Sequence, residues 1–171
     1  IEDLLVLVPA TLRDQVRDSI GGTARRFPGG LRYLESSGAA DFASALELVA
    51  PFVGSRPCVV HQGNGLLGEP LPALSGLRAG RPDLILLVYQ GANGRDQLNR
   101  AARQLLHIAE LDEEQSALGM AGVCIFGEGA LASATTMAGQ RGAAGAFDVT
   151  TVAEKIAADG GKLDVRVVDS W

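Results

Sequence analysis

Cys58-Val59-Val60-His61-Gln62-Gly63-Asn64-Gly65-Leu66-Leu67 decides how this chain is read. A short apolar run enters a Gly-Asn-Gly turn, the composition of a buried strand whose carboxyl end opens into a loop. In doubly wound α/β sheets, ligands bind in the crevice outside such carboxyl ends. An aspartate after Gly63 would hold a divalent metal against a phosphate, whereas the neutral amide of Asn64 holds one poorly. The stretch therefore predicts a nucleotide-handling scaffold more clearly than it predicts catalysis.

Working toward the amino terminus, Pro51 and Gly54 close a segment in which Phe42, Ala45, Leu46, Val49 and Phe52 follow helical spacing. Before it, Ser36 to Ala40 is a small-residue loop and Leu31 to Glu35 reads as a strand. Leu4 to Val8 is a continuous apolar run, as expected of a strand covered on both faces of a parallel sheet. Between these strands Thr11 offers a helix cap, Leu12, Val16 and Ile20 recur every four residues, and Gly21-Gly22 ends the helix. Arg25 to Gly30 reads as a loop.

Toward the carboxyl terminus, Leu71, Leu74 and Leu77 mark a short helix and Leu84 to Tyr89 a buried strand. This alternation predicts a βαβ series with right-handed crossovers. Beyond Gln90 the pattern blurs until Met120 to Phe126, a further buried strand. Leu131 to Met137 reads as a helix and Gly139 to Gly145 as a mobile loop. Val149, Val152, Ala153, Ile156 and Ala157 form an apolar helical stripe stopped by Gly160-Gly161. Leu163, Val165 and Val167 then alternate with Asp164 and Arg166, the mark of a half-exposed strand. The predicted fold class is α/β, a Rossmann-like doubly wound, mostly parallel sheet with helices on both faces.

The 171 residues, 47% apolar and 20% charged, fit one domain spanning 1–171 with a real core. A net charge of -5 and a pI near 5.0 leave no electrostatic footprint for nucleic acid. No apolar run reaches the roughly 20 residues of a membrane span and no signal peptide is present, so a cytoplasmic location is expected. Cys58 and Cys124 lie inside apolar runs and read as reduced core residues. The chain opens directly on a strand without an initiator methionine and closes on Trp171, which predicts a part of something longer.

The order of elements, with several local strings, resembles the sugar-nucleotide pyrophosphorylases, the sugar-1-phosphate nucleotidyltransferases. From Leu31 to Leu67 the likeness runs without a gap, through Arg32-Tyr33, Ala45-Leu46, Pro51-Phe52 and the Gly63 turn. Gly122-Val123 with Phe126, and Asp148-Val149-Thr150 followed by Gly160-Gly161, continue it. The resemblance begins at the family's second strand and ends at Trp171, near the family's late metal-binding aspartate. It implies that the phosphate-cradling glycine-rich segment lies before Ile1 and that the family's C-terminal end is also missing.

By the same resemblance, the family's metal-binding aspartate falls on Asn64, its base-binding glutamine on Ser36, and a glycine beside the nucleotide on Asp41. The family's Glu-Lys-Pro appears as Glu110-Leu111-Asp112, a downstream asparagine falls on Ala117, and the last residue of another acidic string is Thr151. Attack of one polyanion on another depends on metal and cation stabilisation, and losing one such stabiliser costs about 3 kcal/mol of the barrier. The residues expected around the ligand crevice are Ser36, Asp41, His61, Gly63, Asn64, Glu110 and Asp148. Five of these have a plainer reading beside the functional one. Asn64 suits a left-handed turn, Asp41 and Asp148 suit helix caps, His61 suits packing at a strand end, and Glu110 suits a solvated acidic run. No catalytic or metal residue is assigned.

The expectation is thus a degenerate nucleotidyltransferase-like domain retained for binding or regulation, taking a nucleotide or sugar phosphate and pairing with its own copy or an active homologue. The alternative is an active enzyme that makes a nucleoside diphosphate sugar and pyrophosphate with segments outside this chain. Mg2+ belongs only to that alternative.

Overall fold

In the computed structural model, residues 2–36, 42–63, 80–90, 118–139 and 148–168 are described. The chain divides into two units. The first comprises Ile1–Phe52 and Thr135–Asp148, the second Val53–Ala134 and Val149–Trp171.

In the first unit, β1 (Asp3–Pro9) pairs in parallel with β2 (Gly30–Ser36), Leu4 opposite Leu31 and Val8 opposite Glu35. The crossover is a 3-10 turn at Ala10–Leu12, helix α1 (Arg13–Ile20), and a second 3-10 helix at Gly21–Arg26. Two local expectations are corrected here. The cap position of α1 is Leu12, not Thr11, and no side chain caps it. Helix α1 does stop at Gly21, its C-cap, as expected, but Arg25 and Arg26, expected in a loop, close a 3-10 helix over Gly21–Arg26, a frequent fate of helix termini. Arg13 on α1 pairs with Glu35 on β2, both well exposed, so the pair adds about 0–1 kcal/mol. Helix α2 (Phe42–Val53) buries Leu46 fully and carries Pro51 in its last turn. There the missing proline N–H forfeits one helical bond just before the helix stops.

The second unit is built on a four-stranded sheet in the order β3-β5-β4-β6, with β3 Cys58–His61, β4 Leu84–Gln90, β5 Leu118–Phe126 and β6 Leu163–Val168. β4 and β6 are parallel, while β5 runs antiparallel to both β3 and β4. Hence β3, β4 and β6 all point the same way. The fold is mixed α/β, with parallel elements in each unit.

Leu84 to Val88 are all buried, Leu84, Leu87 and Val88 completely, which is why the run is apolar without alternation. Ile85, Leu87, Ala121, Val123, Ile125 and Val168 form one cluster, with Val59 and Tyr89 packed against it. By strand alternation, the pairs Cys58–Phe126, Val60–Cys124 and Leu86–Cys124 belong to the opposite face. β6 departs from the expected alternation. Val167 is 58% exposed, and it is Val168 that enters the cluster.

Helix α3 (Ala130–Gly139) buries Leu131 and Ala134, and α4 (Val149–Ala158) buries Val149, Val152, Ala153 and Ile156. That set on α4 is the stripe expected from its spacing. Its end is a Schellman cap: Gly160 N–H donates to Ala157 C=O at 3.0 Å, Gly161 N–H to Ile156 C=O at 2.8 Å, and Gly160 holds φ +79.

Candidate functional site

The direction of the strands in the second unit gives its sheet two chemically different ends. At the amino ends of β3, β4 and β6, Asp83 ties three chain segments together. Its N–H donates to Lys162 C=O at 2.8 Å, its carbonyl accepts from Gly127 N–H at 2.9 Å, and its carboxylate accepts from Lys162 N–H at 2.8 Å. Gly127 lies so close to this junction that an added Cβ would stand 2.5 Å from Pro82 C=O. Gly129 N–H donates to Ser55 C=O at 2.9 Å beside it. Arg56, Arg81, Asp83, Glu128, Asp159 and Lys162 place charges at this end.

At the opposite end, the carboxyl ends of β3 and β4 lie beside the start of β5: Tyr89 is opposite Gly119 and Gln90 opposite Leu118. His61 closes β3 opposite Val123, and its side chain is exposed, as are Gln62 and Gly63 after it. Gln62 N–H donates to Gly122 C=O at 2.8 Å. Gly122 has φ +70 and lies in a bulge. Between Leu86–Cys124 and Val88–Met120, β4 advances two residues while β5 advances four. The bulge falls where Gln62, just past β3, bonds β5, and bulges are a common device for re-aiming backbone beside a site. Gly122 belongs to the strings that carry the family resemblance, but its hydrogen bond to Gln62 was not foreseen. An isolated glycine inside an apolar strand run is the sequence signal for such a bulge.

Among the described residues this rim consists of His61, Gln62, Gly63, Tyr89, Gln90, Leu118, Gly119, Met120 and Val168, and carries no lysine, arginine or carboxylate. At the exit of β3 its side chains are the imidazole of His61 and the amide of Gln62. Mg2+ is held by carboxylate and phosphate oxygens, so the described rim does not fit that ion. Among the described residues no cluster of three or more His, Cys, Asp or Glu could hold a metal.

The other described site residues belong to the first unit. Ser36 is the last residue of β2, buried and opposite Pro9 in the first unit. Asp148, also assigned to the first unit, is exposed and stands immediately before the first residue of α4, in the position expected of a cap. Asp41, Asn64 and Glu110 lie outside the described residues, as do the short helix expected at Leu71–Leu77 and the loop at Gly139–Gly145 beyond its first residue. The structure brings together His61 and Gly63 at the exit of β3.

The cysteines are free thiols, Cys58 half-buried and Cys124 buried. Burial pushes the Cys58 thiol up to about 11. Cys124 is pushed up further, by burial first and then by the neighbouring Cys58. Nucleophilic cysteines are shifted the other way, so both belong to the packed sheet and neither is poised for covalent chemistry. No helix among the described residues is long and apolar enough to cross a membrane.

No protein-family model matches this chain. No curated protein matches it by sequence. Solved structures do match its fold. A Bacillus anthracis protein assigned as a glucose-1-phosphate thymidylyltransferase, crystallised with sucrose, superposes with a TM-score of 0.74 over 100% of this chain and 70% of its own, at 17% identity. The inositol-1-phosphate CTP transferase of T. maritima matches with a TM-score of 0.59 over 99% of this chain and 68% of its own, at 13% identity. The α/β fold is the one these nucleotidyltransferases share.

Proposed function

We propose that this chain is a degenerate nucleotidyltransferase-like domain of the sugar-nucleotide pyrophosphorylase type, which binds a nucleotide or sugar phosphate and serves a binding or regulatory role with little or no turnover. The observation that carries this reading is the rim at the carboxyl ends of β3 and β4, which among the described residues carries no lysine, arginine or carboxylate, set in the fold of the sugar-phosphate nucleotidyltransferases. Phosphoryl and nucleotidyl transfer is accelerated chiefly by metal ions and cations placed where negative charge develops. A rim of imidazole, amides and backbone N–H groups can hydrogen-bond sugar hydroxyls or a base edge, yet it offers little to a pentavalent phosphorus. The substitutions Asn64, Leu111 and Asp41 at positions where the resemblance implies a ligand, a lysine and a glycine support the same reading.

The test has two arms. Titrating nucleoside triphosphates and sugar 1-phosphates, followed by amide chemical shifts, is expected to perturb His61, Gln62 and Gly122. Incubating the same compounds with Mg2+ is expected to release no pyrophosphate. Release that is abolished by Gln62→Ala would reverse the assignment in favour of an active transferase making a nucleoside diphosphate sugar. Absence of any shift at the rim would remove the binding role as well.

A further inference from the structure

The only two cysteines of the sequence, Cys58 and Cys124, come together on adjacent strands. The register sets Cys58 opposite Phe126 and Val60 opposite Cys124. Directly opposed residues, and residues two apart along a strand, project to one face. The two thiols therefore stand on a diagonal of the β3-β5 pair, on the face away from the cluster of Ile85, Leu87, Val123 and Ile125. Both are free, and Cys58 is near enough to add to the cost of ionising Cys124.

Diagonal partners in an antiparallel pair have Cα atoms about 7–8 Å apart, with Cβ atoms a little nearer. A disulfide needs Cα atoms within about 7 Å, so a direct sulfur–sulfur bond would have to drag the strands together. One ion between the sulfurs fits this spacing better. With metal–thiolate bonds of about 2.3 Å, as in zinc sites, a linear S–metal–S unit holds the sulfurs about 4.6 Å apart. Zinc itself takes four ligands in a tetrahedron, and the flanking side chains on this face, Val60, Leu84, Leu86 and Phe126, supply none. The same apolar flanks set the charge. A net charge is costly beside them, and one divalent cation neutralises two thiolates where a monovalent one does not.

We infer that Cys58 and Cys124 form a chelating dithiol site for a soft divalent cation that takes two thiolates in a line, the chemistry of mercuric ion, and that this ion bridges β3 to β5. Two S–H bonds break and two sulfur–metal bonds form. Both protons and the waters of the ion pass to solvent, and nothing is oxidised or reduced. Burial keeps the thiols protonated in the metal-free protein, and a coordinating ion displaces such protons outright. Half-buried Cys58 takes the ion first, and buried Cys124 closes the chelate. This inference does not rest on the nucleotidyltransferase reading.

The test titrates the whole chain with mercuric chloride at neutral pH and follows the ultraviolet sulfur-to-mercury charge-transfer band. The band should saturate at one ion per chain, with two sulfurs at about 2.3 Å by X-ray absorption and sedimentation unchanged from the metal-free chain. Amide shifts should centre on Val60 and Ile125. Against a glutathione competitor, Cys58→Ser and Cys124→Ser should each hold the ion about 100-fold more weakly than the unaltered chain, the loss expected when a chelate becomes a single bond. Saturation at two ions per chain overturns the inference, as does an ion shared between two chains or a serine variant that binds as tightly as the unaltered chain. Stoichiometry and coordination are read on the unaltered chain, so they decide the matter whether or not a variant folds.

Discussion

The two ends of the second unit's sheet are made of the same strands and differ in almost everything else. At the amino ends, Asp83, Gly127 and Lys162 lock β4, β5 and β6 together through three backbone-centred hydrogen bonds, and charged side chains surround them. At the carboxyl ends a single described bond, Gln62 N–H to Gly122 C=O, reaches across from the exit of β3 to β5. One end is tied by backbone hydrogen bonds, and the other is the end at which ligands bind in α/β sheets. Substitutions at matched glycines should expose that asymmetry directly.

The largest effect is expected at the locked end. Gly127→Ala forces a Cβ to 2.5 Å from Pro82 C=O and 3.3 Å from Asp83 Cα. Both are backbone atoms with no rotamer to escape into, so urea denaturation should show a loss of about 3 kcal/mol. Next is Gly122→Ala. It places a Cβ at φ +70 and should cost about 1–2 kcal/mol by the same measurement, with amide shifts spreading to Gln62. Asp83→Ala removes the acceptor of an exposed Lys162 N–H and should cost about 1 kcal/mol. Asp83→Asn, which keeps an oxygen, should lose less.

The start of β3 adds a pH-dependent probe. Cys58 ionises near 9.0 when unfolded and is pushed up to about 11 by burial in the fold. Its contribution to stability is therefore complete below pH 9 and is lost as pH rises from about 9 through 11. The melting temperature should fall across that interval, and less steeply in Cys58→Ser. The smallest effect belongs to Gly63→Ala at the open end. A Cβ there meets nothing within 4 Å and the backbone is not left-handed, so stability should change by less than about 0.5 kcal/mol. A loss at Gly63 as large as that at Gly127 would break the comparison between the two ends.

How much of this is legible in the sequence depends on whether the determinant is local. Leu84 to Val88 and the stripe from Val149 to Ile156 are readable because burial on two faces or on one helical face writes itself into residue order. Gly160-Gly161 is readable because few residues other than glycine close a helix this way. The reversed direction of β5 has no local signature, since an apolar run reads the same toward either end and direction is decided by partners far along the chain. The exposure of Val167 with burial of Val168 is likewise a matter of how an edge strand sits, not of alternation. Thr11 failed as a cap because a 3-10 turn begins at Ala10 and moves the helix start past it. Of the candidate site, His61 and Gly63 share the exit of β3, while Ser36 and Asp148 are set by the first unit. The resemblance could align these positions but could not supply their surroundings.

The bulge at Gly122 has a further consequence for how the chain refolds. A strand flanked on both sides by antiparallel neighbours can slip by two residues and still present the same faces. Here such slippage would carry Met120 or Cys124 into the left-handed turn, which only glycine adopts without penalty. One residue without a side chain thus acts as a detent, so that a heated and cooled molecule recovers a single alignment of its central strand.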